Sequence, residues 1–178
     1  MKNKVFIDGY IADKNGGTDW LHSIPNPDNE DMGYAKFMAD IDALVMGRNT
    51  FDTICAFDME WPYKKPVFVL SNTMKTAPEG YQDKVELLKG DVSEILKTIH
   101  EKGHKNLYID GGKTIQRFLK EGAIDEMTIT VIPYLLGGGI PLFTDLPVPL
   151  RFECVESKNY LGKVAQHRFV AVKSKESK

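Results

Sequence analysis

Cysteines are few in this sequence, and they form no recognisable motif. Only Cys55 and Cys154 occur, far apart and without CxxC spacing. This pattern fits a reducing compartment better than a disulfide framework or a cysteine-based zinc site. The sequence also lacks a signal-peptide core at its start and any apolar run near the roughly 20 residues of a membrane-spanning helix. We therefore expect a cytoplasmic protein that is not associated with a membrane.

Arginine is also scarce, and the basic residues form no stripe. Four arginines occur, at positions 48, 117, 151 and 168, the lysines are spread along the chain, and the formal net charge is −2. A nucleic-acid footprint needs clustered positive charge, so we expect a small-molecule substrate and no nucleic acid. Because arginines are rare here, Arg48 carries more information, since it lies inside a candidate motif.

The remaining composition is that of an ordinary globular protein. At 178 residues, one domain can bury roughly 70% of its unfolded surface. Asp91 and Glu94 form a capping box that opens a helix ending at Gly103. We predict an α/β protein with about eight strands, four helices and one domain over residues 1–173, followed by a flexible tail over 174–178. Strands are predicted at 5–10, 43–46, 67–70, 85–88, 107–109, 127–131, 152–157 and 164–172.

Two strand-to-helix turns have the composition of phosphate-binding sites. In the first, Met46 ends a strand and is followed by Gly47, Arg48, Asn49 and Thr50. Free backbone N–H groups and the helix dipole favour a phosphate there, while the arginine adds a charge-assisted hydrogen bond. The second turn runs over 109–114. Two such turns on neighbouring strands suit a dinucleotide, although each glycine could merely permit a tight turn.

The common nucleotide fingerprints are absent from both turns. Neither has the GxGxxG spacing of a Rossmann fold, and a P-loop ending in Gly112, Lys113 and Thr114 would need a glycine where Leu107 stands. An ATPase is therefore not expected.

Five segments together resemble the dihydrofolate reductase superfamily, in the branch that contains the reductase domain of bacterial riboflavin biosynthesis. The resemblance covers nearly the whole chain. It implies a three-layer α/β/α fold with a mixed sheet and an antiparallel C-terminal hairpin, with NADPH lying across the strand ends. The segments, in order, are 8–12 (DGYIA), 46–50 (MGRNT), 70–73 (LSNT), 109–112 (IDGG) and 135–143 (LLGGGIPLF).

The resemblance also implies which residues would bind the cofactor. Residues 47–50 would hold its phosphates, with Arg48 against a 2′-phosphate, and this favours NADPH over NADH. Such a charge-assisted bond is worth about 1.5–3 kcal/mol, or roughly ten- to a hundredfold in affinity. Residues 16–20 would form a flexible lid. The implied cofactor-binding residues are Ile11, Ala12, Gly16, Gly17, Gly47, Arg48, Asn49, Thr50, Leu70, Ser71, Asn72, Thr73, Ile109, Gly111, Gly112, Thr114 and Ile115.

The acidic cluster of Asp28, Glu30 and Asp31 is predicted to open the first helix, and the proton source for hydride transfer is expected in it. Asp31 is placed like the substrate-binding acid of dihydrofolate reductases, and partial burial beside Trp20 would raise its pKa. We therefore name Asp31 and Trp20 as catalytic candidates. An acid at the start of a helix can also be only a cap and a partner of the helix dipole.

Two departures leave the substrate open. A folate reductase would clamp a carboxylate with an arginine after the second helix, where this chain offers only Lys64 and Lys65. The chain also lacks a zinc-deaminase motif and an evident second phosphate site. We expect an NADPH-dependent reductase similar to the 5-amino-6-(5-phosphoribosylamino)uracil reductase. Dihydrofolate reductase activity and a non-catalytic nucleotide-binding protein are the alternatives. An open edge of the late antiparallel strands, together with the resemblance, predicts a homodimer.

Overall fold

The computed structural model describes residues 1–17, 24–57 and 59–172. Two compact units are present, a first unit of residues 1–33 with 118–178 and a second unit of residues 34–117. In chain order the elements are β1 (Lys2–Phe6), β2 (Tyr10–Ala12), α1 (Tyr34–Ala39), β3 (Ala43–Gly47), α2 (Arg48–Cys55), β4 (Val67–Leu70), β5 (Val85–Leu88), α3 (Val92–Glu101), β6 (Leu107–Asp110), α4 (Gly112–Lys120), β7 (Glu126–Ile132), β8 (Ile140–Pro141), β9 (Phe152–Tyr160) and β10 (Val164–Ala171).

The second unit is built on a parallel sheet with the strand order β5-β4-β3-β6. Residues 43–46 of β3 and 67–70 of β4 are buried throughout, as expected for central parallel strands that are covered on both faces. Phe51 of α2 is fully buried in the same core. Helix α3 begins at the predicted capping box, in which the Asp91 carboxylate accepts from the Glu94 N–H at 2.8 Å.

The first unit contains a four-stranded sheet with the order β1-β7-β10-β9 and a separate antiparallel pair, β2 with β8. Strand β1 runs parallel to β7, and the other neighbours are antiparallel. Leu161 and Gly162, with φ of 55° and 63°, form the turn between β9 and β10. Phe6, Ile132 and Val164 are buried together on one face of the sheet.

The predicted α/β class, the four helices and the antiparallel C-terminal hairpin are confirmed. The described residues form ten strands in three sheets, where the sequence suggests about eight strands in one mixed sheet. One reason lies at Gly9, which has a φ of 83° and donates its N–H to the Phe6 carbonyl at 2.9 Å. This turn divides the predicted strand over 5–10 into β1 and β2.

Helix α1 begins later than the sequence suggests. The prediction that Asp28, Glu30 and Asp31 open this helix is wrong, because it begins at Tyr34 and has no acid in its first turn. Residues Asn29 and Met32 have positive φ angles of 50° and 51°, which a right-handed helix cannot contain.

The predicted tail over 174–178 lies outside the described residues, and the extent of the single domain over 1–173 stays a prediction. No helix in the described part of the chain is both long and apolar enough to cross a bilayer.

Candidate cofactor-binding and active site

Three predicted cofactor segments meet at one edge of the parallel sheet in the second unit. Gly47, at the end of β3, is opposite Leu70 of β4, and Met46 is opposite Asp110 of β6. The segments 47–50, 70–73 and 109–115 therefore leave neighbouring parallel strands at the same level. Ligands of open α/β sheets bind at such carboxyl ends.

The starts of α2 and α4 lie side by side at this edge. A Cβ atom on Gly47 would stand 2.7 Å from the Thr114 hydroxyl oxygen, and a Cβ on Gly111 would collide with the Thr50 hydroxyl. Each turn therefore needs a glycine because a threonine of the other turn fills the space beside it. The prediction that the two turns are neighbours is confirmed.

The first turn leaves its helix start without a side-chain cap. Gly47 is the N-cap of α2 and has extended backbone angles, and among the described residues no side-chain cap hydrogen bond forms at this helix start. Within α2, the Asn49 carbonyl accepts from the Thr53 hydroxyl at 2.9 Å. Uncapped N–H groups at a helix start are the donors that an anionic phosphate group can use.

Arg48 connects the first turn to the segment after β4. Its Nε donates to the Asp52 carboxylate at 3.2 Å, and its Nη1 donates to the Thr73 hydroxyl at 3.0 Å. The Arg48 and Asp52 side chains are each 48% exposed. A guanidinium has five N–H donors, and two of them are used in these bonds among residues 1–17, 24–57 and 59–172, so further donors can serve a phosphate.

The segment 70–73 forms a tight turn after β4. The Ser71 hydroxyl accepts from the Thr73 and Met74 N–H groups at 3.3 and 2.9 Å, and the Ser71 N–H donates to the Leu88 carbonyl at 3.0 Å. Asn72 and Thr73 are exposed at the tip of this turn. This turn places the Thr73 hydroxyl beside the Arg48 guanidinium.

Some of the predicted residues are buried and can contribute only through their backbone. Ile109 and Ile115 are 4% and 0% exposed, so their side chains belong to the core. Leu70 is also buried, whereas Gly111 and Gly112 are partly exposed. The Gly111 φ of 85° lies in the left-handed region, which favours glycine.

Asp110 is a candidate that the sequence interpretation missed. Burial raises the pKa of its carboxyl group, while hydrogen bonds from the Gly111 N–H at 2.8 Å and from Tyr108 oppose that rise. Burial raises the pKa of the Tyr34 and Tyr63 hydroxyls, and the nearby Asp110 charge adds to both shifts. Perturbed carboxyl groups of this kind concentrate at functional sites. The signal in the sequence that could have identified Asp110 was its position as a single acidic residue between a predicted strand and a glycine-containing turn.

In the first unit, the predicted cofactor-binding residues Ile11 and Ala12 lie on the short strand β2. The following turn is closed by Asp13, whose carboxylate accepts from the Asn15 and Gly17 N–H groups at 2.7 and 2.9 Å. Gly16 has a φ of 85° in this turn. The base of the predicted lid is therefore a defined turn, whereas Trp20 lies outside the described residues.

Asp31 does not have the expected environment. It is exposed, so the predicted partial burial is wrong, and its carboxylate accepts from the Gly33 N–H at 2.7 Å. Lys2 is its charged neighbour and donates to the Met32 carbonyl at 2.7 Å. Burial lowers the pKa of Lys2, and the Asp31 carboxylate opposes this shift. A catalytic role for Asp31 stays a prediction, and Lys2 is a charged group that the sequence interpretation did not select.

Comparison with known proteins assigns the chain to a family. The chain matches the model of the RibD C-terminal domain over residues 1–165. It is 32% identical to the uncharacterised protein YwjB of Bacillus subtilis over 169 residues, which cover 93% of each chain.

Solved structures are similar as well. A protein of Shewanella sp. PV-4 named for riboflavin biosynthesis is 53% identical, with a TM-score of 0.93, and the alignment covers 96% of this chain and 97% of that one. A diaminohydroxyphosphoribosylaminopyrimidine deaminase/5-amino-6-(5-phosphoribosylamino)uracil reductase of Thermotoga maritima is 14% identical, with a TM-score of 0.71, over 96% of this chain and 55% of that chain. The second likeness concerns the fold alone. Together with the family match, these findings show that this chain belongs to the RibD C-terminal domain family and has a dihydrofolate reductase-like fold.

Proposed function

We propose that this protein is an NADPH-dependent reductase that transfers hydride to a small heterocyclic or carbonyl substrate. Membership of a family related to riboflavin-pathway reductases supports the reductase class. The observation that carries the proposal is the meeting of two glycine-containing strand-to-helix turns and Arg48 at one sheet edge. NADPH, when bound, supplies the hydride.

The residues at this edge fit a phosphorylated dinucleotide. The N–H groups at the start of α2 have no side-chain cap, so they can donate to a phosphate. Arg48, Ser71 and Thr73 are joined by side-chain and backbone hydrogen bonds within one turn region. A cationic side chain beside two hydroxyls suits a 2′-phosphate, which distinguishes NADPH from NADH.

Asp110 is the residue that we assign to hold the proton for the substrate. Hydride transfer to a C=N or C=O carbon leaves a heteroatom that must take up a proton. A carboxyl group whose pKa is raised by burial keeps its proton at a higher pH than an ordinary aspartate. The hydroxyl of Tyr108 is hydrogen-bonded to this carboxyl group and orients it. Asp31, which is exposed, is the second candidate.

Fluorescence titration tests cofactor binding. Arg48→Ala should weaken NADPH binding roughly ten- to a hundredfold, while NADH binding changes little, because only NADPH carries the 2′-phosphate. Lys64→Ala is the matched control, since it removes an exposed cation outside the sheet edge. Equal NADPH affinity of the wild type and Arg48→Ala would show that the assignment of residues 47–50 is wrong.

Turnover tests the reductase itself. NADPH oxidation is followed with the phosphoribosylamino-uracil and with dihydrofolate, for the wild type, Asp110→Asn and Asp31→Asn. We expect Asp110→Asn to lower kcat and to remove the alkaline limb of its pH profile, whereas a substrate-binding role of Asp31 would appear mainly in KM. Tight NADPH binding without turnover of either substrate would favour the non-catalytic nucleotide-binding alternative.

A further inference from the structure

The carboxyl group of Asp110 stands beside a tyrosine on an apolar floor in the second unit. Tyr108 and Asp110 are two residues apart on β6, so their side chains share one face of the parallel sheet. The Tyr108 hydroxyl is hydrogen-bonded to the Asp110 carboxyl group. Met46, which is opposite Asp110 on β3, is fully buried in the same core as Tyr108. The candidate acid is therefore held on the face of the sheet that α1 covers.

Helix α1 brings Tyr34 to the same carboxyl group. Three residues, 40–42, join the end of α1 to the start of β3, so the first residue of α1 lies toward the carboxyl end of the sheet. The ring of Phe37 contacts the ring of Tyr108 edge-on, with 5.0 Å between the centroids. Tyr34 is one turn before Phe37 on the same helix face, about 4.5 Å along the axis. Asp110 is about 6.6 Å beyond Tyr108 along the strand, so Tyr34 and Asp110 are neighbours beyond this ring pair.

Electrostatic effects agree with this arrangement and add a third phenol to it. The Asp110 charge adds to the raised pKa of both Tyr34 and Tyr63. Charges on Tyr34 and Tyr63 would in turn raise the pKa of the buried Tyr108 hydroxyl. Tyr63 packs against the core that contains Tyr108, and its ring contacts Trp61 with 5.3 Å between the centroids. Each of the three phenols therefore keeps its proton at neutral pH.

The three phenols differ in their access to water. Tyr108 is 7% exposed and Tyr63 is partly buried, whereas Tyr34 is 41% exposed. Tyr34 is therefore the phenol that both adjoins the Asp110 carboxyl group and reaches solvent. A hydroxyl group donates one proton while its oxygen accepts another, so it can pass a proton on without becoming charged.

The proposed reaction creates a need for such a path. After Asp110 has given its proton to the substrate heteroatom, it is left as a carboxylate, and the product covers the side from which the proton left. The next turnover requires this proton to be replaced. A route that does not pass through the product is available on the side of α1.

We propose that Tyr34 returns a proton from solvent to Asp110 after each turnover. The substrate carbon receives hydride from NADPH, which becomes NADP⁺, and the substrate heteroatom receives the Asp110 proton. The Tyr34 hydroxyl then donates its proton to the Asp110 carboxylate while its oxygen takes a proton from an acid in the solvent. Both groups are thereby restored, and Tyr108 holds the carboxyl group in place. This inference rests on the proposed reductase function.

Rapid mixing tests this step, because a slow return of the proton limits every turnover except the first. Tyr34→Phe removes the hydroxyl and keeps the ring. Mixed with NADPH and the substrate that the wild type reduces, this variant should oxidise about one NADPH per active site at the wild-type rate and then continue roughly tenfold more slowly. Its kcat and KM should fall together, which leaves kcat/KM within about threefold of the wild-type value. Tyr81→Phe is the matched control, because the Tyr81 hydroxyl bonds to Cys55 in the same core.

A second proton carrier should replace the missing hydroxyl. Added imidazolium, at constant pH and ionic strength, should raise the kcat of Tyr34→Phe severalfold and leave the wild type unchanged, and Tyr34→His should recover most of the lost kcat. A merely structural role would respond to neither. A raised KM without a burst would show that Tyr34 binds substrate, and it would overturn the proposal. Normal wild-type turnover with unchanged kinetics of Tyr34→Phe would overturn the proton return alone, whereas a wild type without turnover would refute the reductase function as well.

Discussion

Substituting Gly47 by alanine should destabilise the protein through one identifiable contact. The added Cβ would stand 2.7 Å from the Thr114 hydroxyl oxygen, whereas favourable carbon contacts lie at about 3.5–4.0 Å. Thr114 is 6% exposed, so its side chain has little space to move away. Overpacking of this kind costs about 1–3 kcal/mol. The Gly47 φ of −79° is allowed for alanine and adds no backbone strain.

A double-mutant cycle separates this contact from other effects of the substitution. Alanine is also a poorer N-cap than glycine, which costs roughly 0.5–1 kcal/mol that no change at Thr114 can recover. Free energies of unfolding are measured in urea for the wild type, Gly47→Ala, Thr114→Ala and the double variant. We expect Gly47→Ala to cost about 1 kcal/mol or more less in the Thr114→Ala background than in the wild type. Thr114→Ser keeps the oxygen and should rescue much less. Additive effects of the two substitutions would refute the reasoning.

The second turn provides a contrast within the same protein. Gly111 has a φ of 85°, and an added Cβ would collide with Thr50. Thr50→Ala removes the collision but not the cost of a left-handed alanine, about 1–2 kcal/mol. Rescue of Gly111→Ala by Thr50→Ala should therefore be partial, even where Thr114→Ala rescues Gly47→Ala well.

Three further substitutions test the stability of other elements by urea unfolding. Asp91→Ala removes the α3 capping box and should cost about 1 kcal/mol, whereas no loss would mean that the cap is replaced by water. Phe118→Ala empties a fully buried site and should cost about 3–5 kcal/mol, against less than about 0.5 kcal/mol for the half-exposed Phe57→Ala. Hydrogen bonds from Asn106 and Lys105 lower the pKa of Asp42. The stabilisation is therefore present above the ordinary pKa of about 4 and is lost as the pH falls further. Asp42→Asn should be less stable at pH 7, with a difference that shrinks in acid, and a constant difference would contradict this assignment.

Local signals in the sequence were sufficient to predict the elements whose structure depends on neighbouring residues. The capping box of α3, the apolar runs of β3 and β4 and the two glycine turns follow from short-range spacing, and the structure contains each of them. The adjacency of the two turns was also predictable, because parallel strands bring their carboxyl ends to one edge.

The acidic residues were harder to interpret, because their environments depend on contacts distant in sequence or on turn geometry. Asp31 lies in a segment that is held by tight hydrogen bonds, in which the Asn26 side chain bonds to both backbone groups of Glu30. That segment keeps Asp31 outside the helix. Asp110 gains its raised pKa from burial, and burial of one strand end cannot be read from the residues beside it. Periodicity identifies elements, but it does not reveal the exposure of a single carboxylate.

The division of the chain has a consequence for the order of folding. The second unit is continuous in sequence over residues 34–117, whereas the first joins both ends of the chain. Strand β1 pairs with β7, and β7 in turn pairs with β10. On a ribosome, the parallel sheet of the second unit is complete once residue 110 has emerged, but β1 must wait for a partner more than 120 residues away. Long-range pairing of this kind is slow, so we expect nascent chains to acquire a protease-resistant centre before their ends mature.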